Sequence, residues 1–357
     1  MTASLTPNDI PYAAPTLVDT IEQTHANLRL TPNDDPKLAY QLGIPKTWAY
    51  SKTFGPVVEH LMKPQGLGFF AGSTAPGAPV IAVTVTRCPF EIPVDAWVKL
   101  TLASEGYEIV AAKYFPGPHG LFFDATAVRM LEDREEVVRT TARVDGSNIF
   151  SVNTVCGRKQ WDVAKELFWI AHVSFHLVEG TGETRMEPWK AVYGVNPDFQ
   201  TFHPFSWFGE KVKPAWEGIS AVDIRLLNAA QTTVLGYLQV KAQRALPDHP
   251  PRDLAALRDD SLAKLKKALG YVPSRPFHPL TLADDPRSEV ADGWLGGFAG
   301  EAKLGDSNAA VRLGYIRRAE LTFSLLALSA PVRDDTLAAL RTQRAFEIAR
   351  DTLQLPG

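Results

Sequence analysis

The feature that most constrains this chain is that it matches itself. Pro45-Lys-Thr-Trp48 returns as Pro204-Phe-Ser-Trp207, 159 residues later. One four-residue coincidence means little, but further pairs follow in the same order. Val83-Thr-Val-Thr-Arg87 is matched by Val240-Lys-Ala-Gln-Arg244 at an offset of 157, and Gly106-Tyr107 by Gly270-Tyr271 at 164. Val138-Arg139 and Phe150-Ser151 are matched by Val311-Arg312 and Phe323-Ser324, both at 173. Phe168-Trp-Ile-Ala171 and Leu177 are matched by Phe346-Glu-Ile-Ala349 and Leu355, at 178. Apart from one reversal of two residues the offset only grows, and it grows at turns. Two diverged copies with loop insertions produce that pattern.

The repeat predicts an N-terminal arm over 1–36, one domain over 37–180, a linker over 181–200 and a second domain over 201–357. The arm is rich in Pro, Thr, Asn and Asp, and only Thr16–Leu28 can hold a short helix. The linker carries Gly182, Pro188, Gly194 and Pro197. Each copy opens with a strand pair, Gly66–Ala71 and Val80–Cys88 in the first. A helix follows, over Val94–Ser104 and again over Asp253–Leu269. Three strands come next: Leu121–Leu131, Glu136–Val144 and Asn148–Val155, then counterparts starting at Trp294, Ala309 and Leu321. The dipeptide Asp145-Gly146 marks a hairpin. A helix closes each copy, Trp161–Phe175 and Asp334–Leu353. In the first of these Trp161, Ala164, Phe168, Ala171 and Phe175 form one apolar stripe, so Phe168 and Phe346 are expected to be buried anchors. The fold class is therefore α+β: two tandem α/β sandwich domains, each an antiparallel sheet with packed helices.

Composition narrows function by exclusion. The chain is 45% hydrophobic and 22% charged, which excludes a disordered protein. Its 37 basic and 40 acidic residues lack the positive excess that nucleic-acid binding needs. No apolar run approaches the length of a membrane helix, so stable membrane insertion is not expected. Met1–Ile10 has neither the basic nor the apolar region of a secretory leader, and a cytoplasmic location is the expectation. Cys88 and Cys156 match no metal or redox spacing and read as buried, reduced thiols.

Catalytic patterns are weak. His172 and His176 stand four apart, but no Glu follows His172 and the helix is ending there. Cys156 falls at a strand end without a recognisable base for a thiol nucleophile. Gly66–Gly72 has the wrong spacing for a phosphate loop, and no Gly-Lys-Ser/Thr follows it. Gly293–Gly300 lies in a strand pattern, where small residues mark bulges or close packing. No metal, no cofactor and no enzyme activity are expected.

Aligning the copies indicates which side of each sheet is oily. Ile81, Val83 and Val85 align with Leu238, Val240 and Ala242. The opposite side reads Val80, Ala82, Thr84, Thr86 against Tyr237, Gln239, Lys241, Gln243. Helices are expected on the oily side. The other face of the first copy is expected to carry Thr84, Thr86, Arg139, Thr141, Ser151 and Asn153. That face is either plain solvated sheet or a surface whose short hydrogen-bonding side chains bind a partner segment.

The order of strand pair, helix, antiparallel strands and closing helix resembles the PsbP-like fold, which includes the Ran-binding Mog proteins. The resemblance rests on Tyr40-Gln-Leu-Gly-Ile-Pro-Lys-Thr-Trp48, on the hairpin and Phe-Ser strand of Val138–Val155, and on the closing Val173-Ser-Phe-His-Leu177. It covers roughly 36–178 and 200–355. Among bacterial members, the effector-associated chaperones of type VI secretion are the nearest in size. These are cytoplasmic single-domain proteins that dimerise and clasp an effector's hydrophobic N-terminal helices. A tandem would resemble a fused dimer. The resemblance implies a non-enzymatic chaperone or adaptor that binds a hydrophobic helical segment of a protein partner. Two alternatives stand beside it: an enzyme or small-ligand-binding protein with a pocket between the two domains, and a structural component of a larger assembly.

Overall fold

Buried and half-exposed residues alternate along most strands of this protein, the period-two signature of a sheet with unequal faces. The computed structural model describes residues 5–12, 18–51, 62–117, 120–132, 134–213, 218–245, 252–270, 272–280, 292–304 and 307–355. Tyr271, one member of the matched pairs, lies outside the described residues. The architecture is α+β, antiparallel sheets with a few helices. The chain divides into two compact units, residues 1–89 with 94–186, and 90–93 with 187–357.

In the first unit, β1 (His25–Leu30) pairs antiparallel with β2 (Tyr40–Pro45). A seven-stranded sheet then runs in the order β3-β4-β5-β9-β8-β7-β6. Its strands are β3 (Ala49–Ser51), β4 (Gln65–Ala71), β5 (Val80–Arg87), β6 (Glu108–Gly117), β7 (Gly120–Leu131), β8 (Arg134–Asp145) and β9 (Asn148–Gly157). Between β5 and β6 lies α1 (Val94–Ser104), which packs on β6, β7 and β8 and buries Val94, Trp97, Val98 and Leu102. The opposite face is covered by α2 (Trp161–Ser174), whose Trp161, Ala164, Phe168 and Ala171 join the core with Val83, Val85, Phe150 and Val152. Phe168 is fully buried, as its place in the apolar stripe predicts.

Two features differ from the sequence reading. Within the stretch read as an extended arm, Leu5 and Ile10 are buried in the same core, and the Trp161 indole donates to the carbonyl of Asp9 at 3.4 Å. Isolated apolar residues among Pro and Asn show no periodicity, so their burial depends on what they meet. The helix expected over Thr16–Leu28 is Val18–Thr24, and the chain then turns into β1 because β2 supplies its hydrogen-bonding partner. The strand β6 has no counterpart among the sequence-predicted elements.

In the second unit, β10 (Trp189–Gly194) pairs with β11 (Phe199–Pro204), so part of the expected linker 181–200 is sheet. Val192 and Phe199 are buried and give that hairpin a core of its own to join. The main sheet runs β12 (Phe208–Val212), β13 (Ile219–Leu227), β14 (Val234–Arg244), β17 (Leu321–Ser329), β16 (Ser307–Arg318), β15 (Trp294–Leu304). Two short strands, Val272–Pro273 and His278–Pro279, add to β15. Helix α3 (Leu254–Leu269) starts at Asp253, whose carboxylate accepts from the Ala256 amide at 2.7 Å, and ends at Gly270 with φ of 66°. Helix α4 (Thr336–Asp351) is capped in the same way by Asp335 and buries Phe346. Within this unit Glu91 is buried; it accepts from the Trp189 indole at 2.9 Å and from Arg344 at 3.1 Å.

The order β4-β5-β9-β8-β7 of one sheet recurs as β13-β14-β17-β16-β15 in the other. Register recurs too. Val85 lies opposite Phe150, and Ala242 lies opposite Phe323, the positions related by offsets of 157 and 173 in the sequence.

Candidate functional site

Residues directly opposite each other in an antiparallel ladder share a face. Thr84 faces Ser151 and Thr86 faces Ile149, while Asn153 lies between Ala82 and Thr140. Thr84, Thr86, Ser151 and Asn153 therefore lie on one face, as expected. Arg139 instead faces Thr154, and Thr141 faces Val152, which places both on the opposite side beneath α2. The physical reason is the β8–β9 hairpin. With Gly146 and Ser147 as its two-residue loop, odd-numbered residues of one strand pair with even-numbered residues of the other. Asp145-Gly146 announces that loop in the sequence, so the parity was available there and was missed.

Nor is the polar face open. Thr86 is 0% and Ser151 3% exposed, and their hydroxyls find no partner among the described residues. Thr84 and Asn153 are half-buried. Thr140 Oγ1 donates to Asn153 Oδ1 at 2.9 Å, and Asn153 Nδ2 donates to Thr84 Oγ1 at 3.3 Å, so these side chains chiefly satisfy one another.

Under α2 the two displaced residues are structural. Arg139 and Asp124 form a buried ion pair at 2.9 Å, and Arg139 also donates to the Pro11 carbonyl at 3.0 Å. Burial pushes the Asp124 carboxyl up, against the pull of Arg139. Thr141 Oγ1 lies 2.9 Å from His172 Nδ1, and Thr154 Oγ1 lies 3.0 Å from His172 Nε2. Burial, reinforced by Arg139, holds His172 well below its ordinary value, so the ring is neutral. With both nitrogens engaged it is a core histidine. No group of three or more His, Cys, Asp or Glu among the described residues converges as a metal site. Both cysteines are free and buried, and burial raises the Cys156 thiol to about 12, the wrong direction for a nucleophile.

The second unit holds the counterpart of the polar face, and there it is a groove. A cavity of about 660 Å³ opens between β14, β17 and α3. Its apolar lining includes Leu257 and Leu265 of the helix and Leu313, Leu326 and Leu328 of the sheet. Tyr237, Gln239, Lys241 and Ser324 supply the polar lining on the same sheet face: Tyr237 faces Leu328, Gln239 faces Leu326, and Lys241 faces Ser324 as Thr84 faces Ser151. The helix is pinned over the sheet by Tyr315, whose hydroxyl lies 3.1 Å from the Leu257 carbonyl and 2.9 Å from Ser261 Oγ. Of the helix only Leu265 is buried; Leu257 and Leu269 also line the opening, while Leu254 and Leu262 are partly buried against the cluster of Phe298, Leu313 and Tyr315.

The electrostatics of the groove are uneven. Asp223 accepts from Tyr237 at 2.8 Å and from Gln239 at 2.9 Å. Asp260 is held by Lys264 at 2.5 Å and by Arg252 at 3.2 Å. Both acids near the groove are thus satisfied. Lys241 is half-buried and makes no hydrogen bond or ion pair among the described residues. Burial and the charge of Lys264 hold its ammonium below the ordinary value.

No family model and no curated protein matches the sequence. Solved structures do show similarity of fold. CyanoP, the cyanobacterial PsbP of Synechocystis sp. PCC 6803, is 14% identical with a TM-score of 0.32, over 42% of this chain and 91% of its own. LpqN of Mycobacterium tuberculosis, described as involved in cell envelope biogenesis, is 11% identical with a TM-score of 0.31, over 45% of this chain and 95% of its own. The type VI secretion immunity protein TplEi of Pseudomonas aeruginosa is 9% identical with a TM-score of 0.22, over 88% of this chain and 94% of its own. Similarity at this level concerns the fold alone and carries no functional argument.

Proposed function

We propose that this protein is a non-enzymatic binding protein, a chaperone or adaptor, whose second unit receives an apolar segment of a protein partner. The observation that carries the reading is the groove between α3 and the sheet. It interleaves leucines of the sheet with hydroxyl, amide and amine groups on one face, and brings leucines of the helix to the same opening. Apolar side chains of an entering segment would leave water against the leucines, and its main-chain polar groups would meet Gln239 and Ser324. The finer form of the proposal, a type VI secretion effector as partner in the cytoplasm, follows from the sequence resemblance. The binding chemistry is the same whether the effector is escorted or silenced.

The test is co-expression with a secreted effector encoded beside this protein, followed by mass determination of the purified complex. The expected result is a stoichiometric complex that is lost when Leu326→Glu places a carboxylate among the leucines of the groove. A complex that forms equally well with Leu326→Glu would move the site elsewhere, and no complex with any neighbouring effector would overturn the finer proposal.

A further inference from the structure

Resting on the reading of this groove as a partner's receptor, we propose that the segment it receives carries one carboxylate among its apolar residues, and that Lys241 takes it. The argument is one of charge complementarity. The groove is lined by Lys241, Lys264, Arg244 and Arg252, and among the described residues Asp260 is the one acid lining it. Asp260 is shared by Lys264 and Arg252, and Arg244 is held at 3.0 Å by Glu320. Asp223, on the neighbouring strand, is taken by Tyr237 and Gln239. Among the described residues these carboxylates thus have their donors, while the Lys241 ammonium makes no hydrogen bond or ion pair and feels Asp260 only at longer range.

Its position makes that matter. Lys241 sits in mid-strand on β14, opposite Ser324, with Leu326 and Leu328 of β17 on the same sheet face and leucines of α3 lining the same groove. An ammonium there loses part of its water when a segment covers it, and an uncompensated loss opposes binding. A carboxylate arriving with the segment restores the lost interactions as a charge-assisted hydrogen bond. A neutral amide restores part of them, and a second cation adds repulsion. The groove should therefore discriminate among segments that are equally apolar.

The probe is a fluorescently labelled amphipathic helix of about sixteen residues built from Leu, Ala and Gln. One central position on its apolar edge is made Glu, Gln or Lys in turn, and binding to the full chain is read by anisotropy. The Glu peptide should bind on the order of tenfold more tightly than the Gln peptide, and the Lys peptide least. Lys241→Met should abolish the preference of Glu over Gln, and Lys241→Glu should reverse it. Equal binding of all three peptides would overturn the charge rule and leave the receptor reading standing. Failure of every peptide, with Lys241-dependent saturation by dodecanoate, would overturn both in favour of a free anionic amphiphile. Failure of peptides and dodecanoate alike would also overturn both. Circular dichroism of each variant shows that the fold is retained.

Discussion

The two sheets pair their strands in the same order, yet they close the same face differently. In the first unit α1 has eleven residues and buries Val94, Trp97, Val98 and Leu102 against the sheet. In the second, α3 has sixteen residues and fully buries Leu265 alone. An indole and several apolar neighbours seat the shorter helix, whereas the longer one is held at Tyr315 and leaves a groove beside it. The opposite faces also differ. Thr141, Thr154 and His172 hydrogen-bond beneath α2, while the positions matched by offset in the second unit are Gly314, Ala327 and Arg350. A Cβ at Gly314 would stand 2.7 Å from Phe346 Cζ, so the missing side chain lets the phenylalanine approach the sheet. One topology thus tolerates a polar or an apolar filling under the closing helix, because only the ladder must be shared. What diverges is the layer on top, and a ligand-sized opening follows from a helix that sits less deeply.

The largest effects should come where the two units agree. Phe168→Ala and Phe346→Ala each remove a buried aromatic anchor, 0% and 3% exposed, and should each cost about 3–5 kcal/mol in urea unfolding. Similar losses would sharpen the equivalence, and a loss below about 1 kcal/mol at either site would break it.

Next in size is the buried ion pair, which belongs to the first unit. Arg139→Met strands Asp124 without its partner and should cost about 3–5 kcal/mol, again by urea unfolding. The double variant Arg139→Met, Asp124→Leu should recover most of that loss. No recovery would mean that the contact with the Pro11 carbonyl, rather than the charge pair, is the important one.

The matched serines compare the two polar faces directly. Ser151→Lys forces an ammonium into a buried site and should lose more than about 2 kcal/mol. Ser324→Lys points into the groove and should lose at most about 1 kcal/mol, chiefly through repulsion by Lys241 opposite. Ser151→Ala, which removes an unpartnered hydroxyl, should stay within about 0.5 kcal/mol. Equal melting temperatures for the two lysine variants would show that the first unit's face is as open as the second's.

A pH dependence should distinguish the units as well. His172 has its folded pKa depressed by burial, so between that value and about 6.5 the unfolded chain binds one more proton than the native one. Its contribution is therefore present above about pH 6.5 and is lost as pH falls, at up to about 1.4 kcal/mol per pH unit. His172→Asn should flatten that slope between pH 7.5 and 5 in urea titrations, although it is less stable at pH 7.5. An unchanged slope would place the titration elsewhere. The smallest effect expected is on stability from Lys241→Met, within about 0.5 kcal/mol, because that ammonium makes no hydrogen bond or ion pair among the described residues.

Much of the fold was legible from local pattern. The stripe Trp161, Ala164, Phe168, Ala171 marked α2, and its fourteen residues run close to the expected bounds. Helix α1 spans Val94–Ser104 as read from the sequence. The candidate site was legible only in part. Tyr237, Gln239, Lys241 and Gln243 were read as the face opposite the oily one, and all four line the groove. In the first copy, by contrast, Thr86 and Ser151 of the expected partner-binding face are buried.

Spacing within a strand or helix is a property of neighbouring residues, and the sequence by itself determined whatever depends on it. It set the alternation of faces along each strand, the apolar stripes of the helices and the offsets relating the two copies. Tertiary structure alone decided which layer covers each face. Burial of Leu5 and Ile10 depended on α2 being there to receive them, and the groove exists because α3 settles on β15 and β16 without reaching β14 and β17 closely. Those outcomes turn on contacts between residues far apart in the chain, whose strength depends on distance and enclosure as well as on residue type.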